Sequence, residues 1–275
     1  LTLGPAVHQP ATATARFLLT APGNAARGLV PIPFEVRWDD APELASQCRV
    51  GWDVLPALAP QSPNQEAPPA PALAPRVRRE ARLLLYARAG EPVRLRIRNA
   101  RVTTYTDALW WTLRDPDLNV LREGQIPVDQ SARVEVEAPA DGVYFLDVAA
   151  ANSSARVESD NRYLAIEMSA EKPIHVFQES PPLFFYVPPD ARRLALNVRC
   201  GGETEPVSLV LYDPAGREVL RESGTFLPRR FAVDVPARAR GGSWRLEVAP
   251  REDVSVWLEG DVVPCAADHP ARLLK

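Results

Sequence analysis

A chain of 275 residues, 46% of them hydrophobic and 24% charged, has room for roughly two or three domains with ordinary cores. Its 32 basic residues are balanced by 35 acidic ones, for a formal charge of −3, so there is no basic footprint of the kind a nucleic-acid backbone requires. No uninterrupted apolar run approaches the ~20 residues of a bilayer-spanning helix, so no transmembrane segment is expected. The chain opens at Leu1 with neither an initiator Met nor a basic leader, as a secreted protein does once its signal peptide has been cut away.

Residues 13–20, Leu29 to Trp38 and Gln47 to Leu55 read as strands. Val30, Ile32, Phe34 and Val36 alternate with Pro31, Pro33, Glu35 and Arg37, the period of a half-buried strand, and the two prolines assign it to a sheet edge. A β segment covering residues 1–55 is marginal as an independent domain and is expected to pack on a neighbour, either the first repeat or another subunit. Seven of the 29 prolines then fall between Pro56 and Pro75. Proline lacks the amide donor and holds φ fixed, so residues 56–76 read as a linker or surface-draped loop.

Beyond the linker the chain repeats itself. Leu83-Leu84-Leu85-Tyr86 returns as Leu183-Phe184-Phe185-Tyr186, and Asp115-Pro116 returns as Asp213-Pro214. Val120-Leu121-Arg122-Glu123 returns as Val219-Leu220-Arg221-Glu222, and the run from Gly142 to Val148 returns from Gly242 to Val248. The offset, about 98 to 100 residues, is that of a domain and far exceeds the roughly 20 to 50 of a solenoid repeat. Within each copy, segments such as Val93 to Arg98, Ala132 to Glu137, Val207 to Tyr212 and Val254 to Leu258 alternate apolar and polar residues, and none keeps a helical stripe. Asp213-Pro214-Ala215-Gly216 supplies turn chemistry, with Asp capping its own backbone, Pro presetting φ and Gly accepting positive φ. The pattern predicts an all-β chain: two tandem antiparallel β-sandwich domains, residues 77–170 and 171–275, preceded by the N-terminal β segment and the Pro-rich linker.

The runs Leu183 to Pro189, Tyr212 to Leu220 and Gly242 to Val248 resemble the jelly-roll modules, similar to bacterial pre-peptidase C-terminal domains, that recur in secreted and cell-surface proteins. The resemblance spans roughly residues 80 to 265 and rests on strand and turn punctuation, with no site motif. It implies a jelly-roll fold, an extracellular or cell-surface location and the company of polysaccharide-degrading enzymes.

The familiar catalytic signatures are missing: no nucleophile elbow, no His-Glu-x-x-His, no phosphate loop and no dinucleotide turn. His8, His175 and His269 are far apart, and most carboxylates, such as Glu135, Glu137, Asp147 and Glu247, alternate with apolar residues on strands. No catalytic residue, cofactor or metal site is expected, since a calcium loop would need several converging oxygens. Cys200 and Cys265 either pair in a disulfide, leaving Cys48 alone, or stay buried as free thiols.

The aromatic residues carry the remaining signal. Aligning the copies puts Leu109, Trp111 and Leu113 in phase with Val207, Leu209 and Leu211 as core positions, so Trp110, Thr112 and Arg114 face outward. Trp110 beside Arg114 and near Tyr105 either forms a platform for a sugar ring or is covered by the linker, the N-terminal segment or the adjacent domain. Trp257 poses the same choice, and Trp244 reads as buried. Three functions follow: a noncatalytic extracellular module that binds polysaccharide or another surface glycan or acts as a spacer; a surface or filament subunit that self-assembles through its N-terminal strands; or a glycan-active enzyme, which needs two carboxylates about 5 to 10 Å apart in a cleft. The first is preferred.

Overall fold

The computed structural model describes the backbone of residues 29–36 and 46–53, and residues 71–160 and 163–274 in full. The chain divides into two compact units, Leu1–Ala57 and Leu58–Lys275. In the first, β1 (Leu29–Val36) pairs antiparallel with β2 (Ser46–Asp53), with Ile32 opposite Val50 and Phe34 opposite Cys48. The strand expected at residues 13–20 and most of the expected linker lie outside the described residues.

The second unit is an antiparallel network in which no described helix exceeds three residues. It opens with β3 (Ala72–Leu73), so the last part of the Pro-rich segment is itself a short strand, and continues through β4 (Val77–Ala87), β5 (Pro92–Ala100), β6 (Leu109–Arg114), β7 (Val120–Ile126), β8 (Ser131–Glu137) and the long β9 (Gly142–Ser159). After β10 (Ala165–Glu167) and β11 (Ile174–Phe177) come β12 (Leu183–Val187), β13 (Arg193–Cys200), β14 (Val207–Tyr212), β15 (Glu218–Gly224), β16 (Arg229–Asp234), β17 (Gly242–Pro250), β18 (Asp253–Gly260) and β19 (Cys265–Ala267).

The pairing of the first half is repeated by the second. β7–β6–β9–β4 has its counterpart in β15–β14–β17–β12, and β8–β5–β9 in β16–β13–β18. What β4 and β9 do as single long strands, the second copy does in two pieces each, β11 with β12 and β17 with β18. The copies meet like to like: β10 pairs with β19, placing Ile166 opposite Ala266, and Val77 of β4 lies opposite Val176 of β11. Because β10 also pairs with β4 and β19 with β12, hydrogen bonding continues from one copy into the next.

Period-2 alternation builds the core. Val93, Leu95 and Ile97 point inward from β5 while Arg94, Arg96 and Arg98 remain in solvent, and Leu109, Trp111 and Leu113 do the same on β6. They join Tyr144, Leu146 and Val148 from β9 and Leu209, Leu211, Trp244, Leu246 and Val248 from the second copy in one apolar cluster. Tyr144 donates its hydroxyl to the carbonyl of Ala140 at 2.6 Å, and its counterpart Trp244 donates Nε1 to the carbonyl of Ala239 at 2.8 Å. Each buried aromatic thereby satisfies its polar end locally, as a burial of that size requires.

The Asp-Pro turns are duplicated in their packing as well. Asp213 accepts hydrogen bonds from the amides of Ala215 and Arg217 and from the Arg217 guanidinium. Burial opposes ionisation of this carboxyl, but those donors outweigh it and hold its pKa below the ordinary value. The prolines that follow close on two glycines: a Cβ at Gly142 would stand 2.7 Å from Pro116 Cγ, and one at Gly242 2.7 Å from Pro214 Cγ. Gly142 also sits at φ +148°. Gly142→Ala and Gly242→Ala are each expected to cost about 1–3 kcal/mol, read as a lowered urea midpoint with an unchanged slope, because a rigid ring bounds the space.

Candidate functional site

The site is built around β6. One register row crosses four strands there: Glu80 of β4 lies opposite Ala149 of β9, Ala149 opposite Trp110 of β6, and Trp110 opposite Gln125 of β7. Directly opposed residues in antiparallel strands project to the same face, so a carboxylate, a methyl, an indole and an amide stand side by side. Trp110 is 59% exposed. The small Ala149 leaves a trough next to the indole, and Ala108, Ala151, Arg79 and Asp107 complete a cleft of about 410 Å³.

Backbone irregularities aim the lining groups. Arg79 occupies a bulge in β4 with φ 59°, and Ala151 interrupts β9 with φ 48°. Such bulges turn a side chain away from the position that strict alternation would give it. The loop ahead of β6 is held from below, where the carbonyl of Asp107 accepts from Asn99 Nδ2 and from Ser153 Oγ, both at 2.9 Å. Asn99 also donates to the carbonyl of Ile126 at 3.0 Å, and both Asn99 and Ser153 are buried. On the opposite wall, the Glu80 carboxylate lies 3.6 Å from the Lys172 ammonium.

Of the residues that the sequence offers as binding groups, only Trp110 lines this cleft. Tyr105 is 44% exposed but lies under the Arg78 guanidinium, 5.9 Å from its ring centroid. Arg114 turns to Asp147, with Nε 3.6 Å from Oδ2, and donates to the carbonyl of Leu118. Trp257 is half-buried on β18, where Nε1 donates to Glu259 at 3.1 Å and the strand neighbour is Asn197. Arg79, Glu80, Asp107 and Gln125 are absent from the sequence-based set. One signal bears on Gln125: the copies diverge along the Trp110 row, where Ser208 and Ser223 stand in place of Trp110 and Gln125.

Cys200 and Cys265 are both buried free thiols and form no disulfide. Cys200 ends β13, which pairs with β16 and β18, whereas Cys265 lies on β19 between β10 and β12, so non-adjacent strands keep them apart. Burial pushes the Cys265 thiol up to about 12, with Glu167 acting in the same direction. Among the described residues, no three His, Cys, Asp or Glu side chains gather as a metal site would need. No described helix is long and apolar enough to cross a membrane.

His175 of β11 faces Ser255 of β18, with Nδ1 2.8 Å from the hydroxyl. Burial lowers its pKa to about 4, Arg79 and Arg199 add to the effect and Glu80 opposes it. The unfolded chain, with an ordinary imidazole near 6.5, therefore binds more protons between pH 6.5 and 4 than the folded one. Stability is expected to fall by up to about 3 kcal/mol as pH drops through that window and to lose nothing further from this residue below it. Urea midpoints across the window should show this limb in the wild type and a flatter one in His175→Gln.

No family model matches the chain, and no curated protein matches it in sequence. Among solved structures, the chain is similar to the N-terminal CBM22-1-CBM22-2 tandem domain of Xyn10C from Paenibacillus barcinonensis, at 11% identity and a TM-score of 0.21. That similarity covers 67% of this chain and 82% of the other, and it is too slight to transfer a residue role or a ligand.

Proposed function

We propose that this protein is a noncatalytic carbohydrate-binding module that works at or beyond the cell surface, built from two antiparallel β-sandwich copies, residues 77–170 and 171–275. One observation carries the reading: the Trp110 indole, largely in solvent, walls a cleft of about 410 Å³ whose other polar groups are Arg79, Glu80, Asp107 and Gln125. A pyranose offers an apolar C–H face to stack on an indole and a rim of hydroxyls that both donate and accept. Glu80 and Asp107 accept, Arg79 donates and Gln125 does both, so hydroxyls are matched in both senses on a rim whose two carboxylates outnumber its one guanidinium. The excess of acid favours a neutral glycan over a polyuronate. Closure of the first copy as a sandwich is supported by β9, whose first half pairs with β6 and whose second half pairs with β5, and by the Tyr144 hydroxyl bonded back to Ala140, a corner recurrent in such folds.

Growth of a filament through the outer strands of the second unit is disfavoured by their charges. β7 carries Arg122 and Glu123, β8 Arg133 and Glu135, β15 Arg221 and Glu222, and β16 Arg229 and Arg230. Charged edges resist strand addition. The enzyme reading draws on the two carboxylates in the cleft, Glu80 and Asp107. Glu80, however, is solvent-exposed and ion-paired to Lys172, an environment suited to accepting hydroxyl protons rather than to the desolvated acid of a glycosidase.

The test is affinity electrophoresis in gels cast with arabinoxylan, glucomannan, hydroxyethylcellulose or polygalacturonate. Retardation by one or more of the neutral polymers, with no new reducing ends after incubation, is the expected result. Free mobility in all four gels, or release of reducing ends, would overturn it.

A further inference from the structure

Resting on the reading of the Trp110 cleft as a sugar site, we infer that the chain is monovalent: the first copy binds glycan and the second, although folded alike, is blind. The two copies can be compared position by position. Leu109 to Arg114 of β6 corresponds to Val207 to Tyr212 of β14, because Trp111 and Leu113 face Val148 and Leu146 while Leu209 and Leu211 face Val248 and Leu246. The row Ala149–Trp110–Gln125 therefore becomes Ala249–Ser208–Ser223. The stacking surface is gone, and the two serine hydroxyls satisfy each other at 2.9 Å.

Two further lining positions, those of Arg79 and Asp107, are diverted as well. Arg79 corresponds to Gln178, since Val77 lies opposite its counterpart Val176 and both following bulge residues have φ 59°. Gln178 is taken up in the junction between copies, where its side-chain oxygen accepts from Arg76 at 3.4 Å and its backbone N–H donates to the carbonyl of Glu252. Asp107, two residues ahead of β6, corresponds to Glu205, two residues ahead of β14. Glu205 folds back on its own loop, so that a Cβ on Gly201 would meet its Oε2 at 2.5 Å. Beneath that loop Cys200 takes the place of Asn99, since Asn99 lies opposite Ala155, the partner of Val77, and Cys200 lies opposite Val254, the partner of Val176. Its thiol accepts from the backbone amide of Phe226, whereas Asn99 uses Nδ2 to hold the loop carrying Asp107. Stacking group, amide, cation and acid are each lost or redirected on a framework that is otherwise retained.

A monovalent chain cannot bridge polysaccharide strands by itself, so any avidity must come from several copies of the protein or from a partner domain. The experiment is titration calorimetry of the wild type and of Trp110→Ala with the linear hexasaccharides of xylan, mannan and cellulose, each protein's thermal melt being recorded beside it. The expected result is about one oligosaccharide per chain for the wild type with at least one probe, and binding to that probe weakened by roughly 30-fold or more in Trp110→Ala. A stoichiometry near two, or a folded Trp110→Ala protein that keeps about half the capacity, would overturn monovalency and leave the sugar-binding reading standing. Absence of binding by the folded wild type to all three probes would sink both.

Discussion

Trp110→Ala is expected to weaken glycan binding by roughly 30-fold or more, about 2 kcal/mol, while leaving the thermal midpoint within about 2 °C of the wild type. The asymmetry follows from where the indole sits. Most of its surface is in solvent, so its removal opens no cavity and takes little from the core. In the cleft it is the one large apolar face, flanked by three alanines and four polar residues, so nothing beside it can take over the stacking. Gln125→Ala, on the adjacent strand, should weaken binding less, since it removes one hydrogen-bonding group and leaves the platform. Affinity electrophoresis of both variants beside their melts would check this, and a Trp110→Ala protein with unaltered retardation would refute the site.

Trp244→Ala should behave in the opposite way, costing about 3–5 kcal/mol of stability. Its indole is fully buried beneath β17, its ring lies 6.5 Å from that of Phe185, and its Nε1 holds the carbonyl of Ala239. Removing it leaves a void among close-packed side chains and strands that carbonyl without its donor. Trp244→Phe keeps much of the volume but not the hydrogen bond, so it should lose less than Trp244→Ala by the cavity share alone. Urea unfolding of the variants would measure the difference. Any Trp244→Ala protein that remains folded should bind glycan with wild-type affinity, because the cleft is built wholly from the first copy. Together the two tryptophans separate what binds from what folds.

Proximity along a strand proved a poor guide to the company a side chain keeps. Arg114 lies four residues beyond Trp110, about 13 Å at strand rise, and points to Asp147 rather than to the indole. Tyr105 belongs to the loop before β6 but rests under Arg78. Apart from Asp107 and Ala108 just ahead of β6, the residues that do join Trp110 come from β4, some thirty positions earlier, from β7 and from β9, and they are brought there by the order in which strands pair. A two-residue period states which face a side chain takes, and it is silent about which strands will flank it.

By itself the sequence determined the β character of the chain, the duplication with its offset of about 98 to 100 residues, the inward phase of β6 and β14, and the turns that punctuate them. All of these depend on local chemistry: alternation along a strand, Asp and Pro at a turn, Gly where a ring or a positive φ leaves no room. The tertiary structure decided the rest. It joined the two copies through β10 and β19 into one compact unit, kept Cys200 and Cys265 on separate strands, gave Arg114 to Asp147, and assembled a cleft from Arg79, Glu80, Asp107 and Gln125 around Trp110. Those outcomes depend on strand order and register, which are settled by the packing of the whole core and by no single segment of the chain.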